Sequence, residues 1–178
     1  MNPEISDHIT HNMFVVDPTK PWNATGLHIG AGKTYRINCI TSLDAQQRPY
    51  SDMGLPCSPD GPSTWKGRIF DRLARDATSS LNPVGWIRKD RVKRLRVLKD
   101  RFGRTAHFLT LIGCIGKVSE SDLQGNAFVI GSMLDFTADR SGELFVFSND
   151  WPIDSSLKTE DQPYANNTGV VKLELMAL

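Results

Sequence analysis

Asp150 closes an apolar run, Leu144-Phe145-Val146-Phe147, followed by Ser148-Asn149, and Asn166-Asn167 stand just ahead of another apolar run. One carboxylate and two amide oxygens form a hard donor set of low charge. Such a set suits Ca²⁺, which takes about 6–8 oxygens at about 2.3–2.6 Å and accepts backbone carbonyls and waters among them. In a strand, neighbouring side chains point to opposite faces, so Asn166 and Asn167 reach one centre only from an irregular loop. The segment Pro163-Tyr164-Ala165-Asn166-Asn167-Thr168-Gly169 has the composition of such a loop. It also reads as turn chemistry alone, since Asn and Gly tolerate left-handed backbone.

Other reactive residue types do not assemble. Gly-Lys-Thr at 32–34 resembles the end of a phosphate loop, but the glycine that the pattern requires five residues earlier is Leu27, so a turn feeding a strand at Tyr35 is expected instead. His8, His11, His28 and His107 lack partners at zinc spacing. Cys39, Cys57 and Cys114 are odd in number, with no CxxC, and read as small apolar residues in a reducing compartment. No nucleophile motif or acid–base pair is present, and no enzymatic activity is expected. No run reaches the ~20 apolar residues of a membrane span. The start, Met1-Asn2-Pro3-Glu4-Ile5-Ser6-Asp7, lacks the basic and apolar regions of a secretory leader, so a cytoplasmic location, or export by a non-classical route, is expected.

The 178-residue chain carries 21 Lys+Arg and 20 Asp+Glu, a net of +1. That average conceals two unlike parts. Residues 66–104 hold thirteen basic and four acidic side chains, a net of +9, leaving −8 for the rest, mostly after residue 117. The basic stretch has two readings. In one, residues 88–104 form an arm for a polyanion or an acidic partner, with Arg91, Arg94 and Arg96 at its centre and Trp65 and Trp86 nearby. Alternatively, it is a solvated insertion whose charges pair with the acidic third, within one chain or across a homo-oligomer.

The elements that must position these groups are short and extended. Runs at 14–16, 35–41, 108–112, 127–130, 144–147 and 170–175 are apolar or β-branched and mostly bounded by turn residues. In the last, Val171, Leu173 and Leu175 alternate with Lys172 and Glu174, as in a half-buried strand. This spacing predicts an all-β antiparallel sandwich. Residues 62–104 interrupt it as an insertion into a single domain spanning 1–178. After Pro83, Val92, Leu95 and Leu98 recur every three residues, which predicts a short amphipathic helix, with a strand as the alternative.

Several blocks, taken in order, resemble the LecA-type bacterial lectins. They are Trp22-Asn23-Ala24-Thr25-Gly26-Leu27, Ala31-Gly32, Leu111-Ile112-Gly113-Cys114-Ile115-Gly116, Phe128-Val129-Ile130-Gly131, Gly142-Glu143-Leu144, Asn149-Asp150 and Tyr164-Ala165-Asn166-Asn167-Thr168-Gly169. The resemblance covers most of the chain except 62–104. It implies a jelly-roll, galactose-binding-like sandwich that binds galactose-type sugars through Ca²⁺. Asp150, Asn166 and Asn167 then correspond to calcium ligands, joined by the carbonyl of Pro163 and by one near Leu43-Asp44-Ala45. Asp150 and Asn166 would also hydrogen-bond the sugar. This chain differs from the family in a longer 151–163 loop holding Asp154, Glu160 and Asp161. It also differs in having glutamines, Gln46 and Gln47, and no histidine where the family contacts the sugar's outer edge.

Overall fold

The computed structural model describes residues 12–41, 50–52, 55–75, 95–119, 121–150 and 163–178. The first strands are β1 (Asn12–Val16), β2 (Asn23–Ile29) and β3 (Thr34–Thr41). Short strands β4 (Ser51–Asp52), β5 (Leu55–Ser58) and β6 (Gly61–Pro62) precede helix α1 (Trp65–Arg75). Then come β7 (Leu111–Ile115), the single turn α2 (Leu123–Asn126), β8 (Phe128–Val129), β9 (Met133–Thr137) and β10 (Gly142–Ser148). A 3-10 turn (Pro163–Asn166), β11 (Asn167–Thr168) and β12 (Val171–Ala177) end the chain.

The strands form two four-stranded sheets, β1-β12-β3-β9 and β2-β10-β7-β8, and a smaller one, β11-β4-β5-β6. Every pairing is antiparallel. The fold is therefore an all-β antiparallel sandwich. Its core forms where the apolar faces of the two larger sheets meet. Phe14, Val16, Ile37, Leu134, Phe136, Val171, Leu173 and Leu175 come from one sheet, and Ile29, Leu111, Ile115, Phe128, Leu144 and Val146 from the other. The alternation expected in the last strand holds, with Val171, Leu173 and Leu175 buried and Lys172 exposed. Gly32, at φ +77, makes the turn from β2 into β3, as expected of that glycine-rich segment. Gly113 lets β8 close on β7, because a Cβ there would sit 2.3 Å from the Phe128 ring.

Two expectations are corrected. The strand expected at 108–112 begins only at Leu111. Leu109 adopts φ +54, its N–H donates to the Asn149 carbonyl at 2.8 Å, and its carbonyl accepts the Tyr50 hydroxyl at 2.6 Å, so the chain turns before it pairs. The helix expected across Val92, Leu95 and Leu98 is absent from its described part, while 86–94 lie outside the described residues. The N–H groups that a helix would use donate elsewhere, Arg96 to the Asp150 carbonyl (2.9 Å) and Val97 to Asn149 Oδ1 (3.0 Å). Tertiary partners thus override the period of three. This segment also covers the outer face of the second large sheet. Val97 and Ala106 pack with Ile112, Leu123, Ala127 and Phe147 in a second apolar cluster. The end of the presumed insertion is therefore part of the packing. The helix that does form is α1, where Thr64 caps the first turn by accepting the Gly67 N–H at 3.2 Å.

Candidate cation and ligand site

Strand β10 ends at Ser148, and the two residues after it carry a buried polar network. Asn149 is a clamp. Its Nδ2 donates to the carbonyls of Val97 (2.8 Å) and His107 (3.0 Å), and its Oδ1 accepts the Val97 N–H. Asp150 follows, 1% exposed. Its carbonyl accepts the Arg96 N–H, and its Oδ2 accepts the Asn167 Nδ2 at 3.1 Å.

Asn167 lies 17 residues further along the chain. The 3-10 turn delivers it to β11, where it pairs with Asp52, and Thr168 pairs with Ser51. The Ser51 and Thr168 hydroxyls lie 2.8 Å apart and reinforce that register. Asn167 is 3% exposed, and its Nδ2 also donates to the Pro18 carbonyl at 3.0 Å. Its Oδ1 is buried and has no hydrogen-bond partner. A buried amide oxygen without a partner costs about 1–3 kcal/mol unless something supplies a positive charge or a donor. Beside a buried carboxylate, a cation meets that need. Among the described residues, no three His, Cys, Asp or Glu side chains cluster. An ion here would therefore depend on amide and main-chain oxygens, the mixed oxygen set that Ca²⁺ accepts.

The other expected site residues fall as follows. Asn166 ends the 3-10 turn and is exposed, whereas Asn167 begins a strand and is buried. Asn166 thus lies on the solvent side, next to the buried Asn167. Pro163 is buried at the start of the same turn. Asp44, Leu43, Ala45, Gln46, Gln47, Asp154, Glu160 and Asp161 lie outside the described residues, as do Arg91 and Arg94.

Arg96 requires correction. In the arm reading it faces an anionic partner, but it is 4% exposed. Its guanidinium lies 4.2 Å from the Phe147 ring centre and 4.7 Å from that of Trp22. Its Nη1 donates to the Pro21 carbonyl (2.6 Å) and to the Tyr164 hydroxyl (2.9 Å), while that hydroxyl donates to the Ser148 carbonyl (3.1 Å). A planar, weakly hydrated cation suits such a stacked position. Arg96 thus ties the end of β10, which carries Asp150, to the turn that carries Asn167. Nothing in the sequence separates Arg96 from its twelve basic neighbours, although two of its partners, Trp22 and Tyr164, fall in the lectin-like blocks. Tyr50 braces the same corner, its hydroxyl 2.7 Å from Ser148 Oγ. Burial pushes that phenol well above its ordinary pKa, so it stays a neutral donor.

Elsewhere the basic stretch pairs with the acidic third, as one reading expected. Arg101 Nη1 lies 2.8 Å from Asp139 Oδ1, and that bond holds the Asp139 carboxyl below its usual range. Cys57 and Cys114 are buried thiols that form no disulfide, and burial pushes the Cys114 thiol up.

Comparison with known proteins bears on the fold. The chain is similar to a solved structure described as "EclA N-terminal domain; PllA-like lectin". The match has a TM-score of 0.50 at 13% identity and covers 93% of this chain and 95% of that one. No family model matches, and no curated protein matches by sequence. The sandwich is lectin-like in architecture, over nearly its whole length.

Proposed function

We propose that the protein is a non-enzymatic, calcium-dependent carbohydrate-binding module that takes galactose-type sugars. The observation that carries the reading is the buried Asp150 carboxylate against Asn167, whose amide oxygen is buried and unpartnered. The lectin-like fold and the ordered sequence blocks support it. Asp150, Asn167, Asn166 and the Pro163 carbonyl would hold the ion, with a further carbonyl near Asp44. Bound there, calcium supplies open coordination positions for two vicinal sugar hydroxyls, so the stereochemistry of the hydroxyl pair sets the preference. Asp150 is anchored through its own carbonyl by Arg96, and Asn167 by Pro18 and β4, so both oxygen donors are held before any ligand arrives. Ordered waters must leave as the hydroxyls enter, which keeps the affinity modest.

Calorimetry tests this directly. Calcium is titrated first, then galactose and a panel of other sugars, each with and without chelator. The expected result is a calcium isotherm, followed by sugar heats that vanish with chelator. No calcium binding would overturn the reading, and calcium binding without sugar binding would reduce it to an ion site.

A further inference from the structure

A surface helix ordinarily turns its apolar stripe toward the core. Among its described side chains, helix α1 leaves large apolar groups outside. Those turned inward are Gly67 and Asp71. Gly67 is buried against Pro62, where a Cβ would come within 2.7 Å of the proline's own Cβ. Asp71 is 3% exposed, with Oδ1 accepting the Phe108 N–H at 2.7 Å and Oδ2 lying 3.0 Å from His107 Nδ1. Gly67 and Asp71 thus fasten the helix to the sandwich.

Its outward positions hold what a helix normally hides. Trp65 is 63% exposed and Ile69 51%, and they stand one turn apart on the same face. Lys66, Arg68 and Arg72 are also exposed. At about 100° per residue, the described exposed side chains follow the order Arg68, Arg72, Trp65, Ile69, Lys66, an arc of about 160°. An apolar pair lies at the centre, with cations on both flanks. The only acid in the helix is Asp71, and it is turned inward, so this arc carries three positive charges and no negative one. The helix is strongly amphipathic yet polar on average.

The geometry points to this face of α1 as a dock for an anionic lipid surface. Trp65 and Ile69 enter the boundary between headgroups and acyl chains, and Lys66, Arg68 and Arg72 meet the headgroup charges. Interfacial helices have this composition, with aromatic and aliphatic residues flanked by Lys and Arg. A polyanion such as a sulfated glycan would use the three cations and the indole, but it offers nothing to Ile69. An anionic bilayer surface uses all five side chains. Among the described residues no helix is long and apolar enough to cross a membrane, so α1 lies on the surface. None of the five belongs to the Asp150–Asn167 pair, and the inference stands independently of the sugar reading.

The test is flotation with phosphatidylcholine vesicles, with and without phosphatidylserine. Binding is expected only with phosphatidylserine, and it should fall at least tenfold in about 1 M salt, where the screening length is about 3 Å. Reversing Arg68→Glu and Arg72→Glu together should lower partitioning about a hundredfold or more. Trp65→Ser with Ile69→Ser should lower it about tenfold while leaving the salt dependence intact. All four positions are exposed, so thermal melting and calcium titration should not change. No binding to anionic vesicles at low salt would overturn the proposal, as would binding that ignores both double variants. Retention on heparin without vesicle binding would also overturn it, assigning the face to a polyanion.

Discussion

Arg96 and Arg68 come from one basic stretch, and the fold puts them in opposite surroundings. Arg96 is stripped of water and held between Trp22 and Phe147, with the Pro21 carbonyl and the Tyr164 hydroxyl as acceptors. Arg68 stands in solvent on the outer arc of α1. The first is a cross-brace between the strand end carrying Asp150 and the turn carrying Asn167. The second is part of a surface that faces outward. The lesson is that net charge along a sequence does not say which cations are available to a partner. A guanidinium beside a sheet edge lined with aromatic rings becomes interior, whereas one on the outer side of a glycine-moored helix does not.

Truncation tests that contrast most strongly. Arg96→Ala should cost about 3 kcal/mol, because it removes a stacked side chain and leaves buried acceptors unpaired. Urea unfolding with an unchanged slope would measure it. Arg96→Lys should recover only part of the loss, since an ammonium cannot stack or fork. If Arg96→Ala unfolds like the parent, the brace is not one. At the same corner, on the proposed calcium reading, Asp150→Asn should weaken calcium binding about a hundredfold, by taking the charged oxygen from a low-charge set. Melting with and without calcium sharpens the result, because only the parent should gain stability from the ion.

A smaller effect is expected at Asp100, which organises the loop following the Arg96 segment. Its carboxylate accepts the N–H groups of Phe102, Arg104 and Val129 and the Arg104 guanidinium. Burial alone would raise its pKa, but those bonds outweigh it and hold the carboxyl below the usual range. The folded value is therefore lower than the unfolded one. Its stabilisation is present above about pH 4 and is lost as pH falls through the folded value. Asp100→Ala should cost about 2 kcal/mol at neutral pH and flatten the decline in stability below pH 4, read from urea midpoints across pH. Smallest of all, Arg68→Ala and Arg36→Ala should each change stability by no more than about 0.5 kcal/mol. Arg68 is exposed, and Arg36 forms a surface pair with Asp135. A larger loss at Arg68 would break the comparison with Arg96.

Much of the sandwich was legible in the chain. The alternation in β12, the turn before β3 and the apolar run of β10 each follow from side-chain period and turn residues. Strand β9 was not foreseen, although Met133 to Thr137 alternate exposed and buried with Leu134 and Phe136 inward. The flanking Asp135 and Thr137 lower its average apolarity, so only its alternation marks it. Residues 108–110 read as strand because Phe108 and Leu109 are apolar, yet both are buried in a turn. Composition reports burial, and it does not report the direction of the backbone.

The candidate site divides in the same way. Residue chemistry alone singles out Asp150, Asn166 and Asn167 as hard oxygen donors. Tertiary structure alone brings Asp150 to Asn167 and leaves Asn167 Oδ1 buried without a partner. It alone draws Arg96 out of the basic stretch into the brace behind them. Local sequence sets the preferences of each short segment. Pairing between segments far apart in the chain decides which polar groups lose water, and the cost of losing water determines which of them must find a partner.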